Sequence, residues 1–311
     1  MKFFLPLLAP LLFFFVAFAA QRPGEKVVAQ NPEAQKAYEE IRSTMGMVPT
    51  FLKEFPQEGI SGAWQEFRDV QLNPTTALTP KTKELIGLAV AAQIPCTYCI
   101  YFHKRAAKFN GATSEEINFA IAIAADTRKW ATFWEGSPIP FPKFKMDVDK
   151  MVTNLKSRKP GSVVEYETTP LIGDADGAYR DMQSTLGFTP AFVKPYAAKG
   201  IAGAWNEHKM LSMNSKAPLA PATIDLISVA VSAQTSCPYC VYIYTEFAKL
   251  HGANDEQLRE SVAMAGLTRH WSTFLNGLQQ PQKEFEREVD QIFARLEEKK
   301  SQMDKQISSR K

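Results

Sequence analysis

A carboxylate, two cysteines and a histidine follow one another at spacings that favour redox chemistry. Cys96, Cys99 and His103 lie three and four residues apart, so on one α-helix their side chains share a face. Glu84 belongs to a preceding apolar helix, which a turn at Ile94–Pro95 would fold back toward the cysteines. A thiol in a first helical turn faces unpaired N–H groups and the positive end of the helix dipole, which favour the thiolate. The stretch therefore predicts a reactive dithiol beside an acid–base pair.

Each of these residue types has a use in thiol redox chemistry. A thiolate attacks a peroxide O–O bond or a disulfide, and a second thiol nearby traps the resulting sulfenic acid before it oxidises further. The carboxylate of Glu84 and the imidazole of His103 can take the thiol proton and return one to a leaving alkoxide. The helix-start position favours Cys96 as the more exposed thiolate, which would meet an external reductant. The residues alone leave open which cysteine attacks the substrate.

The whole pattern recurs 141 residues later without a gap. The first copy spans residues 31–157 and the second 172–298, with a linker over 158–171 between them. A charged tail follows over 299–311, and we expect it to fray.

The second copy departs from the pattern at two of its four positions. Its corresponding residues are, in order, Asp225, Cys237, Cys240 and Tyr244. Asp225 has a shorter reach than Glu, and the phenol of Tyr244, with an ordinary pKa near 10, is a poor base at neutral pH. Pro238 gives the sequence CPYC, which is similar to thioredoxin-type redox pairs. We predict that this copy is either an electron relay or a decayed site.

Helical signals run through both copies. Asn31 before Pro32 predicts a helix start, and Thr113 with Glu116 predicts a capping box. Asn254 repeats that device in the second copy. Period-two alternation of β-branched residues is scarce, so we expect no sheet. The sequence therefore predicts an all-α tandem of two helical domains.

Aligned tryptophans and the remaining histidines are assigned to structure. Repetition at the same register in both copies is what core packing demands, and it pairs Trp64 with Trp205 and Trp130 with Trp271. Three further histidines fall outside the motif positions: His208, His251 and His270.

The four-residue pattern resembles the signature of the alkylhydroperoxidase D family, within the carboxymuconolactone decarboxylase-like superfamily. Glu84, Cys96, Cys99 and His103 all match it. The resemblance implies two helical domains of that type and a peroxidase in which Cys99 attacks the peroxide and Cys96 resolves. It implies a small hydroperoxide as substrate, a thiol protein or small thiol as reductant, and no cofactor. It also implies a pseudo-dimeric monomer that can still form homo-oligomers.

Other functions remain open at this point. A general thiol–disulfide oxidoreductase would use the same cysteines, whereas a lactone decarboxylase of the carboxymuconolactone type would leave them without a use. A non-catalytic oligomeric binding protein would keep both disulfides locked. Zinc is disfavoured because structural sites normally take four ligands, and Tyr244 replaces the second histidine. A purely structural disulfide gains little from closing so short a loop.

Composition indicates a globular protein with an export signal. The chain has 311 residues, 45% hydrophobic and 22% charged, which is enough for two domains. Its net charge of +3 gives no reason to expect nucleic acid as a partner. Residues 1–20 hold one Lys and an apolar run ending in small residues, which is typical of a secretory signal peptide. We therefore expect a periplasmic or secreted protein, with an uncleaved membrane anchor as the alternative.

Overall fold

The computed structural model describes residues 31–157 and 171–308, which contain helices and no strand. The α-helices are, in chain order, α1 (Pro32–Met45), α2 (Thr50–Lys53), α3 (Gln57–Glu66), α4 (Pro80–Gln93), α5 (Thr97–Phe109), α6 (Ser114–Gly136), α7 (Phe141–Lys156), α8 (Ala175–Leu186), α9 (Ile201–Ser212), α10 (Pro221–Gln234), α11 (Pro238–Leu250), α12 (Asp255–Leu278) and α13 (Gln282–Ser308). A π-helical segment, Phe67–Leu72, continues α3, and a 3-10 turn, Ala191–Val193, stands where the first copy has α2. The all-α prediction is confirmed. The predicted signal peptide, and the predicted linker except its last residue, lie outside the described residues.

The helix starts follow the predicted capping signals. The side chain of Asn31 caps α1. At the start of α6, Thr113 N donates to the Glu116 carboxylate at 2.8 Å, and Glu116 N donates back to the Thr113 hydroxyl at 3.1 Å. Asn254 and Gln257 make the same reciprocal pair at the start of α12. These bonds satisfy N–H groups that a helix start leaves unpaired, which is why the starts could be read from sequence.

The last helix is longer than the sequence predicted. Beyond Glu298 the chain stays helical to Ser308, although residues 299–308 are exposed. The Lys, Gln and Met side chains of this segment are good helix formers, so the helix continues past its last packed turn. The expected fraying is therefore wrong for these residues.

Two apolar helices, α4 and α10, pack against each other at the centre of the molecule. Each also contacts both α6 and α12. Nine residues of α4, Lys83 through Ala91, are buried in succession, and α10 is buried in the same way from Ile224 through Ser232. A helix covered on all its faces belongs in the core. Among the described residues, none of the helices combines the length and apolar character that a membrane crossing requires.

The closing helices of the two copies are exchanged. Helix α7 of the first copy packs against α11 of the second, and α13 of the second copy packs against α5 of the first. The buried clusters agree with this, because one of them joins residues of α1 to α5 with residues of α12 and α13. The other joins α6 and α7 with α8 to α11 and the central helices. A copy that is continuous in sequence is therefore not a separate unit in space.

Matching hydrogen bonds fix the exchange on both sides. The Tyr98 hydroxyl donates to the Gln280 carbonyl at 2.6 Å, and at the same register the Tyr239 hydroxyl donates to the Ile139 carbonyl at 2.7 Å.

Carboxylates of the closing helices also cap the short helical segment of the other copy: Glu288 accepts from Thr50 N at 3.0 Å, and Asp147 accepts from Ala191 N at 2.7 Å. The two halves are thus related by a pseudo-twofold arrangement.

Candidate active site

Glu84 on α4 and His103 on α5 form a buried carboxylate–imidazole pair. Glu84 is 3% and His103 4% exposed, and His103 Nδ1 lies 2.7 Å from Glu84 Oε2. Because Nδ1 faces a carboxylate, the neutral ring carries its proton there, and Nε2 is the basic nitrogen. Gln71, in the π-helical segment, donates to the other carboxylate oxygen at 3.1 Å. The ring is therefore fixed in one orientation.

The two cysteines lie where α5 begins. Cys96 is the N-cap residue, its sulfur accepts a hydrogen bond from Cys99 N at 3.2 Å, and the two sulfurs are bonded to each other. The expectation that Cys96 is the more exposed cysteine is wrong, because Cys96 is fully buried whereas Cys99 is 4% exposed. The cause is the backbone, since Cys96 N donates to the Ala91 carbonyl at 3.1 Å and is held under the end of α4.

A small cavity joins Cys99 to His103. Its volume is about 30 Å³, which is room for about two water molecules. Its other lining residues are mostly apolar: Phe51, Phe67, Gln71, Phe102, Thr268, Trp271, Leu275 and Phe285. Of the two cysteines, Cys99 lines the wall, so its sulfur is the one that a small molecule in this cavity would meet.

Part of this cavity comes from the second copy. The hydroxyl of Thr268 on α12 lies 3.4 Å from His103 Nε2, the nitrogen not bound to Glu84. Trp271 and Leu275 follow on the same helix, and Phe285 is on α13. The site built on the first copy's motif is therefore incomplete without the other half of the chain.

The second copy also brings its motif residues together, but in a different environment. Cys237 and Cys240 are bonded to each other and fully buried. Burial raises the pKa of the Tyr244 phenol well above its ordinary value, and the negative charge of Asp126 raises it further, against a hydrogen bond with Thr127 that lowers it. Tyr244 therefore stays protonated at neutral pH, where it can donate a hydrogen bond and cannot act as a base.

Asp225 has a histidine partner that the sequence analysis missed. His251 Nδ1 lies 2.5 Å from Asp225 Oδ2, although His251 caps the far end of α11 and aligns with Asn110 of the first copy. Burial raises the pKa of Asp225, and the bond to His251 only partly offsets this. An imidazole from outside the motif thus reaches the carboxylate.

A second carboxylate–imidazole pair, Asp126 with His208, lies near the Asp225–His251 pair. His208 Nδ1 lies 2.8 Å from Asp126 Oδ2, and Lys129 Nζ lies 2.8 Å from Asp126 Oδ1. Burial raises the pKa of Asp126, but the charges and hydrogen bonds of His208 and Lys129 outweigh it, so the pKa is lowered overall. His208 aligns with Phe67 of the first copy and was also assigned to structure. His270, by contrast, packs on the rings of Phe55 and Trp271.

Gln71 and Thr268 were not predicted as site residues, and Trp271 was predicted only as a core residue. All four aligned tryptophans are buried as predicted, and Trp271 in addition lines the cavity. One signal was available: a threonine recurs at the same register of both long helices, as Thr127 and Thr268, one turn before the aligned tryptophan. A polar residue repeated on an otherwise buried helix face points to a polar partner, because a buried hydroxyl needs a hydrogen bond.

Fold and site together define an all-α tandem protein with a buried disulfide-bonded cysteine pair in each half. The profile of the carboxymuconolactone decarboxylase family matches at residues 60–139 and again at 200–283, more than half of the chain in total. The chain belongs to this family, and the double match agrees with a tandem of alkylhydroperoxidase D-like domains.

Among curated proteins, the chain is similar to the uncharacterized protein 4 in the cox locus of Paracoccus denitrificans. The two are 44% identical over 57 residues, which cover 18% of this chain and 51% of that protein. The chain thus spans about half the length of this relative. No solved structure matches the chain.

Proposed function

We propose that this protein is a thiol-dependent peroxidase whose first site reduces small hydroperoxides with the Cys96–Cys99 pair. One observation carries this: Cys99 and the His103 ring, held by Glu84, border the same small cavity. A nucleophile and an oriented base that face one small space are what nucleophilic catalysis by a thiol requires.

The first step is attack by Cys99 on the hydroperoxide. In the reduced protein, Nε2 of His103 accepts the thiol proton, and Glu84 stabilises the imidazolium that forms. The thiolate attacks the terminal peroxide oxygen, so an S–O bond forms as the O–O bond breaks. The leaving alkoxide takes the proton back from His103. The products are an alcohol and the sulfenic acid of Cys99.

The second step closes the disulfide. The sulfur of Cys96 attacks the sulfenic sulfur of Cys99, the S–O bond breaks, and the hydroxide leaves as water with the Cys96 proton. This gives the bonded pair that the structure contains. An external dithiol then supplies two electrons and two protons by thiol–disulfide exchange and leaves as its own disulfide.

Single-turnover measurements test this function. The reduced chain is mixed with one equivalent of tert-butyl hydroperoxide or hydrogen peroxide, and thiols and alcohol are counted after an acid quench. We expect the first pair to lose two thiols for each peroxide consumed. Cys99→Ser should not react, and Cys96→Ser should stop at a sulfenic acid that dimedone traps.

The matched control replaces the other pair, Cys237→Ser with Cys240→Ser, and should keep the peroxide step. The peroxidase assignment fails if the reduced parent consumes no peroxide above a blank, or if Cys99→Ser reacts as fast as the parent.

A further inference from the structure

We propose that the Cys237–Cys240 pair is a second redox site, which exchanges electrons with dithiols and disulfides. Its protons pass between the buried sulfurs and solvent through Tyr244 and two carboxylate–imidazole pairs. Those pairs are Asp225 with His251 and Asp126 with His208. This site goes beyond the peroxidase function, because it uses none of the residues of the first site.

Tyr244 lies on the same helix as Cys240. It follows Cys240 by four residues, about one helical turn on α11, the same spacing that separates His103 from Cys99. It is buried and hydrogen-bonds with Thr127, and the negative charges of Asp126 and Asp225 add to the effect of burial in raising its pKa. A buried phenol in this position can give a proton to a cysteine thiolate and recover one from a neighbouring acid.

Each of the two buried carboxylates is hydrogen-bonded to a histidine whose side chain is partly exposed to solvent. The Asp225 and Asp126 side chains are buried, but their partners reach the surface, since the His251 side chain is 30% exposed and that of His208 is 22% exposed. In the first site the corresponding imidazole of His103 is only 5% exposed and borders a cavity. The second site thus has two imidazoles that reach the surface, where the first site has a buried one.

The wall beside Cys240 also differs from the wall beside Cys99. At the position of Leu275 the second site has Trp134, whose ring lies 5.5 Å from Trp130 and 5.2 Å from Phe144. Trp134 is a larger side chain than Leu275, so this part of the wall leaves less space than its counterpart in the first site. Thiol–disulfide exchange, which needs a proton at the leaving sulfur, fits this site better.

A thiolate of an external dithiol attacks the Cys237 sulfur, and the Cys237–Cys240 bond breaks. Cys240 leaves as a thiolate and takes a proton from Tyr244 in the same step as Tyr244 receives one from the Asp225–His251 pair, so that no tyrosinate accumulates. The Asp126–His208 pair is the second route. The remaining thiol of the dithiol then attacks its own sulfur of the mixed disulfide, releasing Cys237, which takes up a proton. Two electrons pass to the pair, and the dithiol leaves as a disulfide.

The experiment uses the full chain with Cys96→Ser and Cys99→Ser, so that only the second pair can react. This background is treated with dithiothreitol at fixed pH, quenched with acid, and alkylated for mass spectrometry. We expect two thiols per chain to appear and to disappear again with oxidised dithiothreitol. Folding is checked by circular dichroism and thermal midpoint.

Matched variants test the proton route. Tyr244→Phe removes only a hydroxyl, and His251→Asn with His208→Phe introduces the residues that the first copy has at those positions. We expect Tyr244→Phe and the double histidine variant each to slow exchange by about tenfold or more, since a positioned acid contributes about 10²–10⁴-fold. His270→Lys, which also installs a first-copy residue, should leave the rate unchanged.

Three results would contradict the proposed second redox site. The first is a Cys237–Cys240 pair that stays oxidised at a dithiothreitol concentration that reduces the unfolded chain. The second is exchange in the Tyr244 and double histidine variants that is as fast as in the background. The third is a reaction of the reduced Cys237–Cys240 pair with tert-butyl hydroperoxide that is as fast as that of the first pair. A failure of the peroxidase function would instead show in the chain that keeps only Cys96 and Cys99, so the two outcomes are distinguishable.

Discussion

Gly87 on α4 lies directly against the imidazole of His103. A Cβ built on Gly87 would overlap Cε1, Nδ1 and Nε2 of that ring, so the ring occupies space that only glycine leaves free. The second copy has Ser228 at this position, and Thr127 donates to its hydroxyl at 3.2 Å. The change from glycine to serine thus accompanies the change from histidine to Tyr244. The two sites therefore differ at two aligned positions: the first has Gly87 with the imidazole of His103, and the second has Ser228 with the phenol of Tyr244.

The first prediction follows from this contact. Gly87→Ala should displace the His103 ring and slow the peroxide step of the first site by about 10²-fold, because a shift of about 1 Å in a catalytic group has that effect. Overpacking should also cost about 1–3 kcal/mol of unfolding free energy. Stopped-flow kinetics and chemical denaturation measure the two effects. Ser228→Gly is the matched control, which should leave the first site's rate intact; an unchanged rate in Gly87→Ala would contradict the placement of His103.

The second prediction concerns the residue that the second copy contributes to the first site. Thr268→Val removes the hydroxyl that faces His103 Nε2 and keeps the shape, so the peroxide step should slow several-fold while folding persists. Thr268→Ser restores the hydroxyl and should restore the rate, which a merely structural role would not explain. Thr127→Val makes the same chemical change in the other copy. Equal effects of Thr268→Val and Thr127→Val on the first pair would contradict this positioning role.

Features decided by neighbouring residues could be predicted from the sequence. Contacts between side chains on different helices were harder to predict. The caps at Thr113 and Asn254 were correct because a capping box is decided within four residues. The proximity of Glu84 to His103 followed from one helix folding back on the next. The histidine partner of Asp126 was missed because that contact joins residues 82 positions apart. The partner of Asp225 lies on the next helix but was missed because His251 stands outside the motif position.

The exposure of the cysteines shows the same limit. A helix-start position was expected to expose Cys96, but the path of the backbone beneath α4 buries it and turns Cys99 toward the cavity. Tertiary packing decided which sulfur a substrate could meet.

The third prediction is a pH dependence of stability at Asp126. Its folded pKa lies below the unfolded value of about 3.9, so the carboxylate contributes stability that is present above that value and is lost as pH falls through the folded pKa. Asp126→Asn should therefore lower the unfolding free energy near pH 7 by about 1.5–3 kcal/mol. The difference from the parent should shrink toward pH 3 in urea titrations.

The fourth prediction is the opposite trend at Asp225. Its folded pKa lies above the unfolded value, so its contribution to stability is fully present below about pH 3.9 and is lost as pH rises through the folded pKa. Asp225→Asn should therefore lose most stability, relative to the parent, in acid and least near neutral pH. The same urea titrations measure it, with Asp126→Asn as the comparison. If both differences move in the same direction with pH, one of the two assignments is wrong, and the direction shows which.

The fifth prediction concerns the first copy alone. Residues 31–157 end in helices that pack on the other half of the chain, so this fragment has no way to bury them by itself. We expect it to form a homodimer in which two identical fragments exchange α6 and α7. Light scattering gives the mass, and thiol counting should show two peroxide-reactive pairs per dimer. A folded monomer would contradict the exchange.

The exchange of closing helices has a genetic consequence. In a homodimer every substitution appears in both sites, because one gene encodes both subunits. A single polypeptide that carries both halves removes this constraint, so histidine can become tyrosine at position 244 while His103 is kept. The constraint that remains is that α12 must keep Thr268, Trp271 and Leu275 for the first site, even if the motif of its own copy changes. Duplication within one reading frame thus lets one ancestral site specialise in two directions while each half continues to build the other.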